Sequence, residues 1–177
     1  ASDVYKRQVL KHEYDGKKVE IKGAMPTHSE AIKMVLDALV DKNYGVISDM
    51  KEIAAVGHRV LHGGVIFKES ALVTDETLKQ IESNIDLGPL HMPPNIMGIK
   101  ACRAAMPHAP QVAVFDTTFH ATMPDYAYMY AIPYDDYKDF KIRKYGFHGT
   151  SHLFVSGEAA KLMERKDFRL VVCHLGN

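Results

Sequence analysis

The spacing of apolar residues changes several times along the chain, and each change marks an element. Val9 to Glu13 and Val19 to Lys22 alternate apolar with polar residues around Tyr14-Asp15-Gly16-Lys17, which predicts a β-hairpin with Asp-Gly at its turn. From Thr27 the period lengthens to that of a helix. Thr27 can cap it, Glu30 stands three residues on in the capping-box position, and Ile32, Val35, Leu36 and Leu39 form its buried stripe until Asn43 to Gly45 ends it. Ile53 to Val56 is a short apolar strand running into the charged segment His58-Arg59 and the double glycine Gly63-Gly64. Thr74 or Asp75 caps a helix carrying Leu78 and Ile81. Asp86 to Pro94 breaks the chain, and Pro93 or Pro94 begins a helix that runs through Met106.

In the second half, Gln111 to Phe115 is an apolar run followed directly by Asp116. This pattern predicts a central strand delivering a carboxylate to the C-terminal edge of a sheet, where open α/β sheets bind their ligands. Tyr126 to Ile132 reads as a strand and Pro133 to Phe140 as a short helix. Lys144 to His152 follows, with Gly146 and Gly149 flanking Phe147-His148 so that the backbone can turn sharply. Thr150 and Ser151 suit an N-cap, and Ser156 to Met163 reads as helix, with Leu153, Ala160 and Met163 on one apolar face. The N-terminus of that helix favours an anion beside His148. Leu170 to Asn177 reads as a strand entering a Gly-Asn turn. Helices and strands are mixed throughout without repeats, so the fold class is α/β.

Composition narrows the partners. With 177 residues, 46% of them hydrophobic, the chain can bury a real core and is one domain or most of one. Lys+Arg and Asp+Glu number 22 each, and no basic stripe interrupts that balance, which argues against a nucleic-acid partner. Cys102 and Cys173 lie far apart in no ligand pattern and read as core thiols of a reducing compartment. No apolar run approaches the roughly 20 residues of a membrane span, and Ala1 to Gln8 lacks a signal peptide's apolar region, so the expectation is a cytoplasmic protein with no membrane partner. Because the last strand stops before anything pairs with it, the chain is expected to be truncated. Residues 1–8, polar and without an initiator Met, are expected to be a non-native or frayed leader.

Four side chains then carry the candidate chemistry: Arg59, His91, Asp116 and His148. The spacing leaves two readings of Arg59 open: it is satisfied by a surface carboxylate, or it leaves a buried strand to grip a carboxylate or phosphate with two nitrogens. Asp116 is likewise either a ligand-facing carboxylate or the cap of the next turn. His148 and His152 are four residues apart, but Gly149 lies between them and no HExxH glutamate is present, so zinc is not the natural reading. No GxSxG supplies a hydrolase nucleophile. What remains is a site for an anion, suited to binding or transferring phosphate.

Gly57-His58-Arg59-Val60-Leu61-His62-Gly63-Gly64, Leu90-His91, Val114 to His120, Tyr145 to His152 and His174-Leu175-Gly176-Asn177 together resemble the acetate kinase family, in the same order and spacing from about Val9 onward. The resemblance implies a partial ribonuclease-H-like, actin-like ATPase domain of the acetate and sugar kinase, Hsp70 and actin superfamily. Residues 9–165 would belong to an incomplete N-terminal, acyl-substrate domain, and residues 166–177 would begin the C-terminal nucleotide domain. It further implies transfer of the ATP γ-phosphoryl group to acetate, a carboxyl-group phosphotransferase reaction giving acetyl phosphate and ADP, with magnesium and as a homodimer. Asp116 would be catalytic, His148 would stabilise the transition state and His91 would support them. Arg59 would bind the carboxyl end of the substrate, with Leu61, Leu90 and Phe147 around the methyl group. His174, Leu175, Gly176 and Asn177 would begin the turn that holds ATP, and no complete metal site is expected, with Asp116 at most an indirect contributor. The family's phosphate loop finds no match in residues 1–10, so the piece alone is expected to be inactive. Two alternatives accompany this reading: a propionate or butyrate kinase of the same family, and a noncatalytic anion-binding domain.

Overall fold

The computed structural model describes residues 8–176. In chain order its elements are β1 (Val9–Tyr14), β2 (Lys17–Lys22), α1 (His28–Leu39), β3 (Val56–Val60), β4 (Ala71–Leu72), α2 (Asp75–Glu82), α3 (Met92–Ala105), β5 (Gln111–Phe115), α4 (Asp125–Tyr128), α5 (Tyr134–Phe140) and α6 (Gly149–Met163). Backbone contacts divide the chain into two compact units. One holds the described part of Ala1–His58 with Pro93–Val112; the other holds Arg59–Met92 with the described chain from Ala113 onward. The expected leader at residues 1–8 falls almost wholly outside the described residues.

In the first unit, β1 and β2 pair antiparallel from Val9↔Lys22 to Tyr14↔Lys17. The two turn residues, Asp15 (φ 44°) and Gly16 (φ 72°), are both left-handed, the geometry whose twist matches the flanking strands. Thr27 caps α1 as its sequence predicts: its hydroxyl accepts the Ser29 N–H at 3.2 Å, and its own N–H donates to Glu30 at 3.1 Å. The buried stripe is narrower than expected. Leu36 is buried with Met106 and Ala109, flanked by Ile32, Leu39, Met50, Ile53, Val56 and Cys102, whereas Val35 is exposed. The prolines of α3 sit in its first turn, where a missing N–H breaks no helical bond.

A three-stranded sheet has the order β3-β5-β4, with β5 central and Gln111, Ala113 and Phe115 buried. In the second unit, Val60, Phe67, Val73, Ile81, Met92, Ala113 and Phe115 are buried, and the rings of Phe67 and Phe115 stack 4.3 Å apart. Thr74 caps α2 by accepting the Thr77 N–H at 3.1 Å.

Four expectations fail in this half of the chain. Tyr126 to Ile132 is not a strand: Pro124 opens the single-turn helix α4, and the Tyr128 carbonyl then accepts the Lys144 N–H at 2.8 Å. Leu170 to Gly176 forms no strand, since none of this stretch pairs with a strand among the described residues, and β-propensity is realised only in such pairing; Asn177 lies outside the described residues. The cap of α6 is His148 rather than Thr150 or Ser151, and Leu153 and Met163 on its apolar face are exposed. Cys173 is exposed too, and only Cys102 packs against a core. Among the described residues no helix is long and apolar enough to cross a membrane.

Candidate functional site

β5 ends in the core at Phe115, and the next residue, Asp116, is held at the sheet edge by its N–H, which donates to the Val60 carbonyl at 3.0 Å. Arg59 comes from the neighbouring strand β3 and meets that carboxylate with two parallel bonds, Nε to Oδ1 at 3.0 Å and Nη2 to Oδ2 at 2.7 Å. The Asp116 side chain is 1% exposed and that of Arg59 is 67% exposed. The buried partner therefore fixes a guanidinium whose other side is open to solvent. The hydrogen bonds it donates to Asp116, and then the charge of that carboxylate, push the Arg59 pKa further up. The alternatives of a surface partner for Arg59 and a capping role for Asp116 are not what forms. The partner of Arg59 is a buried carboxylate, and Asp116 caps nothing, since no side-chain cap closes the short turn Thr118–His120.

The N-terminus of α6 is fastened to the same residue. Gly149 N–H donates to the Asp116 carbonyl at 2.9 Å, and a Cβ at Gly149 would stand 2.5 Å from that oxygen and 2.9 Å from Phe119 Cβ, so only glycine permits the approach. His148 is thereby held beside Asp116 in the left-handed conformation, at φ 54°. The His174 ring stacks on His148 with centroids 4.3 Å apart, and its Nδ1 lies 3.0 Å from Ser151 Oγ. Nearby, Thr117 Oγ1 accepts the Gly63 N–H at 3.0 Å. Burial, and then the neighbouring His152, holds the pKa of His120 down.

Of the residues singled out by sequence, the structure thus links Arg59, Asp116, His148 and His174. Leu61 is half-buried, with its side chain lying over Gly88, and Phe147 sets its ring edge-on to His62 at 5.5 Å. Leu90 is 85% exposed, and it shares with exposed His91 the turn before α3, outside this hydrogen-bonded cluster. Leu175 and Gly176 are exposed and lie in no helix or strand, and Asn177 lies outside the described residues.

Sequence reasoning gave no role to His62, Asn84, Arg143 or Tyr145. His62 is buried and edge-on to Tyr145 at 4.4 Å, and burial followed by the charge of Arg143 lowers its pKa to about 4. Its only signal in the sequence was a histidine set against a double glycine. Among the described residues no three His, Cys, Asp or Glu gather as metal ligands, and Arg59 occupies both Asp116 oxygens. These residues therefore do not by themselves fit a magnesium ion.

Comparison with known proteins bears on the same residues. The model of the acetokinase family matches residues 3–177. The chain belongs to the acetokinase family. It is 58% identical over 171 residues to an acetate kinase of Thermoanaerobacterium thermosaccharolyticum and 57% identical over 171 residues to one of Clostridium botulinum, in each case over 96% of this chain and 43% of the relative. It therefore spans less than half the length of those acetokinases. Among solved structures, Porphyromonas gingivalis acetate kinase superposes with a TM-score of 0.84 at 42% identity, over 90% of this chain and 40% of that one. A propionate kinase from Francisella tularensis gives 0.82 at 40% identity, over 91% and 40%. The fold is the mixed α/β, actin-like ATPase fold of these acetokinases.

Proposed function

We propose that this chain is the acyl-substrate part of an acetate kinase, which transfers the γ-phosphoryl group of ATP to acetate and releases acetyl phosphate and ADP. The observation that carries the reading is the two-pronged Arg59–Asp116 pair with His148 fastened beside it by the Gly149 N–H. Acetate, with a pKa of about 4 to 5, is ionised at pH 7 and needs no general base to become a nucleophile. Asp116, with both oxygens held by Arg59, serves as the anchor that aims the guanidinium. Arg59 presents its open side to the carboxylate. A carboxylate oxygen then bonds to the γ-phosphorus as the bond from that phosphorus to the ADP oxygen breaks, in line. Negative charge spreads over the equatorial phosphoryl oxygens, and His148 with Arg59 meets it.

Leu61, Leu90 and Phe147 form the methyl pocket in this reading, and His91 supports the site. His174 to Asn177 begin the phosphate-holding turn, with residues 9–165 as the substrate domain and 166–177 as the start of the nucleotide domain. Magnesium would take its ligands outside these described residues. The family relationship supports a cytoplasmic homodimer. The similarity to a propionate kinase favours a second reading with the same chemistry and a longer acyl chain. Acyl phosphate formation by the full-length protein from acetate, propionate and butyrate tests both. Acetate is expected to give the highest kcat/KM. A preference for propionate would establish the second reading, and no acyl phosphate from any of the three would overturn both.

A further inference from the structure

A cavity of about 710 Å³ opens in the second unit between the chain after α2 and the chain joining α5 to α6. Its volume lies in the range of small-molecule sites, and none of Arg59, Asp116 or His148 lines it. Asn84 does, and it is 5% exposed with its Nδ2 buried and given no hydrogen-bond partner among the described residues. Buried amide N–H groups are almost always paired, so this donor calls for an acceptor that the chain does not supply.

Two further donors line the same space. His62 is 2% exposed, and its Nδ1 accepts the Gly64 N–H at 2.9 Å, so the proton of the neutral ring is on Nε2. Arg143 has its guanidinium carbon 3.5 Å from the Tyr128 centroid and 4.9 Å from that of Tyr145, a position held by two rings. Its Nε donates to the Lys144 carbonyl at 3.0 Å, and among the described residues no hydrogen bond engages its terminal nitrogens. Tyr145, edge-on to His62, supplies an apolar wall, and Phe147, also edge-on to His62, borders the cavity on the side of the proposed acyl pocket.

Charge decides the class of ligand. Lys141 and Arg143 are balanced by Asp86 and Asp139 on the same lining, so a polyphosphate gains no net attraction, whereas a single negative charge can be met by Arg143 alone. We propose that this cavity is a second binding site, centred away from the Arg59–Asp116 pair, for an organic monoanion: a carboxylate on a flat apolar body, its oxygens taken by Asn84 Nδ2, His62 Nε2 and Arg143, and its body lying against Tyr145.

The test is titration calorimetry on the full chain at pH 7, with benzoate as the probe, benzamide as its neutral counterpart and ADP as a competitor. Benzoate is expected to bind one to one, benzamide at least tenfold more weakly, and ADP not to displace benzoate. Asn84→Leu and Arg143→Gln should each weaken benzoate about tenfold or more, as loss of one charge-assisted or buried contact does. His148→Gln, in the other cluster, should leave it unchanged. Circular dichroism checks folding, and if Asn84→Leu fails to fold, Arg143→Gln decides. No saturable binding, equal binding of benzamide, or loss of binding in His148→Gln with retention in Arg143→Gln would overturn the proposal. Acyl phosphate formation from acetate is measured separately on the same variants, so failure of this site and failure of the kinase reading are distinguishable.

Discussion

Replacing Arg59 by methionine should cost more stability than replacing Asp116 by asparagine, although the two form a single ion pair. The asymmetry comes from burial, since the carboxylate is 1% exposed and the guanidinium side chain 67% exposed. Arg59→Met strands a buried carboxylate without either of its donors. Removing one partner of a buried pair costs about 3 to 5 kcal/mol, and because solvent already reaches the arginine side the lower figure, about 3 kcal/mol, is the one to expect. Asp116→Asn leaves an open guanidinium that water can satisfy and an amide oxygen that still accepts, but sets a buried NH2 against one arginine donor, a loss of about 2 kcal/mol. Combining the two removes the stranded charge, so the double variant should be more stable than Arg59→Met alone. Urea denaturation at pH 7 followed by circular dichroism reads this directly. With a slope of about 2 kcal/mol per M, the midpoint should fall by about 1.5 M for Arg59→Met and about 1 M for Asp116→Asn. Equal shifts, or a double variant at the sum of the two, would refute the reasoning.

Other consequences follow from the same geometry. His62 is neutral when folded, with a pKa of about 4 against 6.5 for the free side chain, so the unfolded chain binds the extra proton between those values. Stability tied to His62 is therefore full above pH 6.5 and is lost as pH falls toward 4, by about 3 kcal/mol. The difference in unfolding free energy between the parent and His62→Gln, measured across that range, should show this slope vanish in the variant. Gly149→Ala should push α6 off Asp116, with the amide of residue 149 losing hydrogen-exchange protection, and on the proposed kinase reading should cost the full-length protein at least about tenfold in kcat. Thr27→Ala should cost about 1 kcal/mol by removing the cap of α1, read as a lower urea midpoint.

Local chemistry was the legible part of this sequence. The Asp15-Gly16 turn, the Thr27 box and the delivery of Asp116 by β5 each depend on residues within a few positions of one another, and each formed as read. The start of α6 was misread because a hydrogen bond from residue 149 to residue 116 outweighs the capping preference of Thr150 and Ser151. Tyr126 to Ile132 has the aromatic alternation of a strand, yet Tyr128 is used to carry Arg143 on its ring face. Leu170 to Cys173 has strand propensity but pairs with no strand among the described residues. The carboxylate that Arg59 meets, 57 residues away, could not be read from spacing, and neither could the gathering of Asn84, His62 and Arg143 around one cavity. Such pairings are made by the fold, and a motif shows only that each member is available.

Steady-state kinetics of Arg59→Gln and His148→Gln in the full-length protein, with acetate varied at saturating ATP, test the central claim most directly. If Arg59 grips the carboxylate and His148 meets charge that develops only during transfer, Arg59→Gln should raise KM for acetate and lower kcat, whereas His148→Gln should lower kcat about a hundredfold with KM unchanged. Parental kcat and KM in both variants would contradict it.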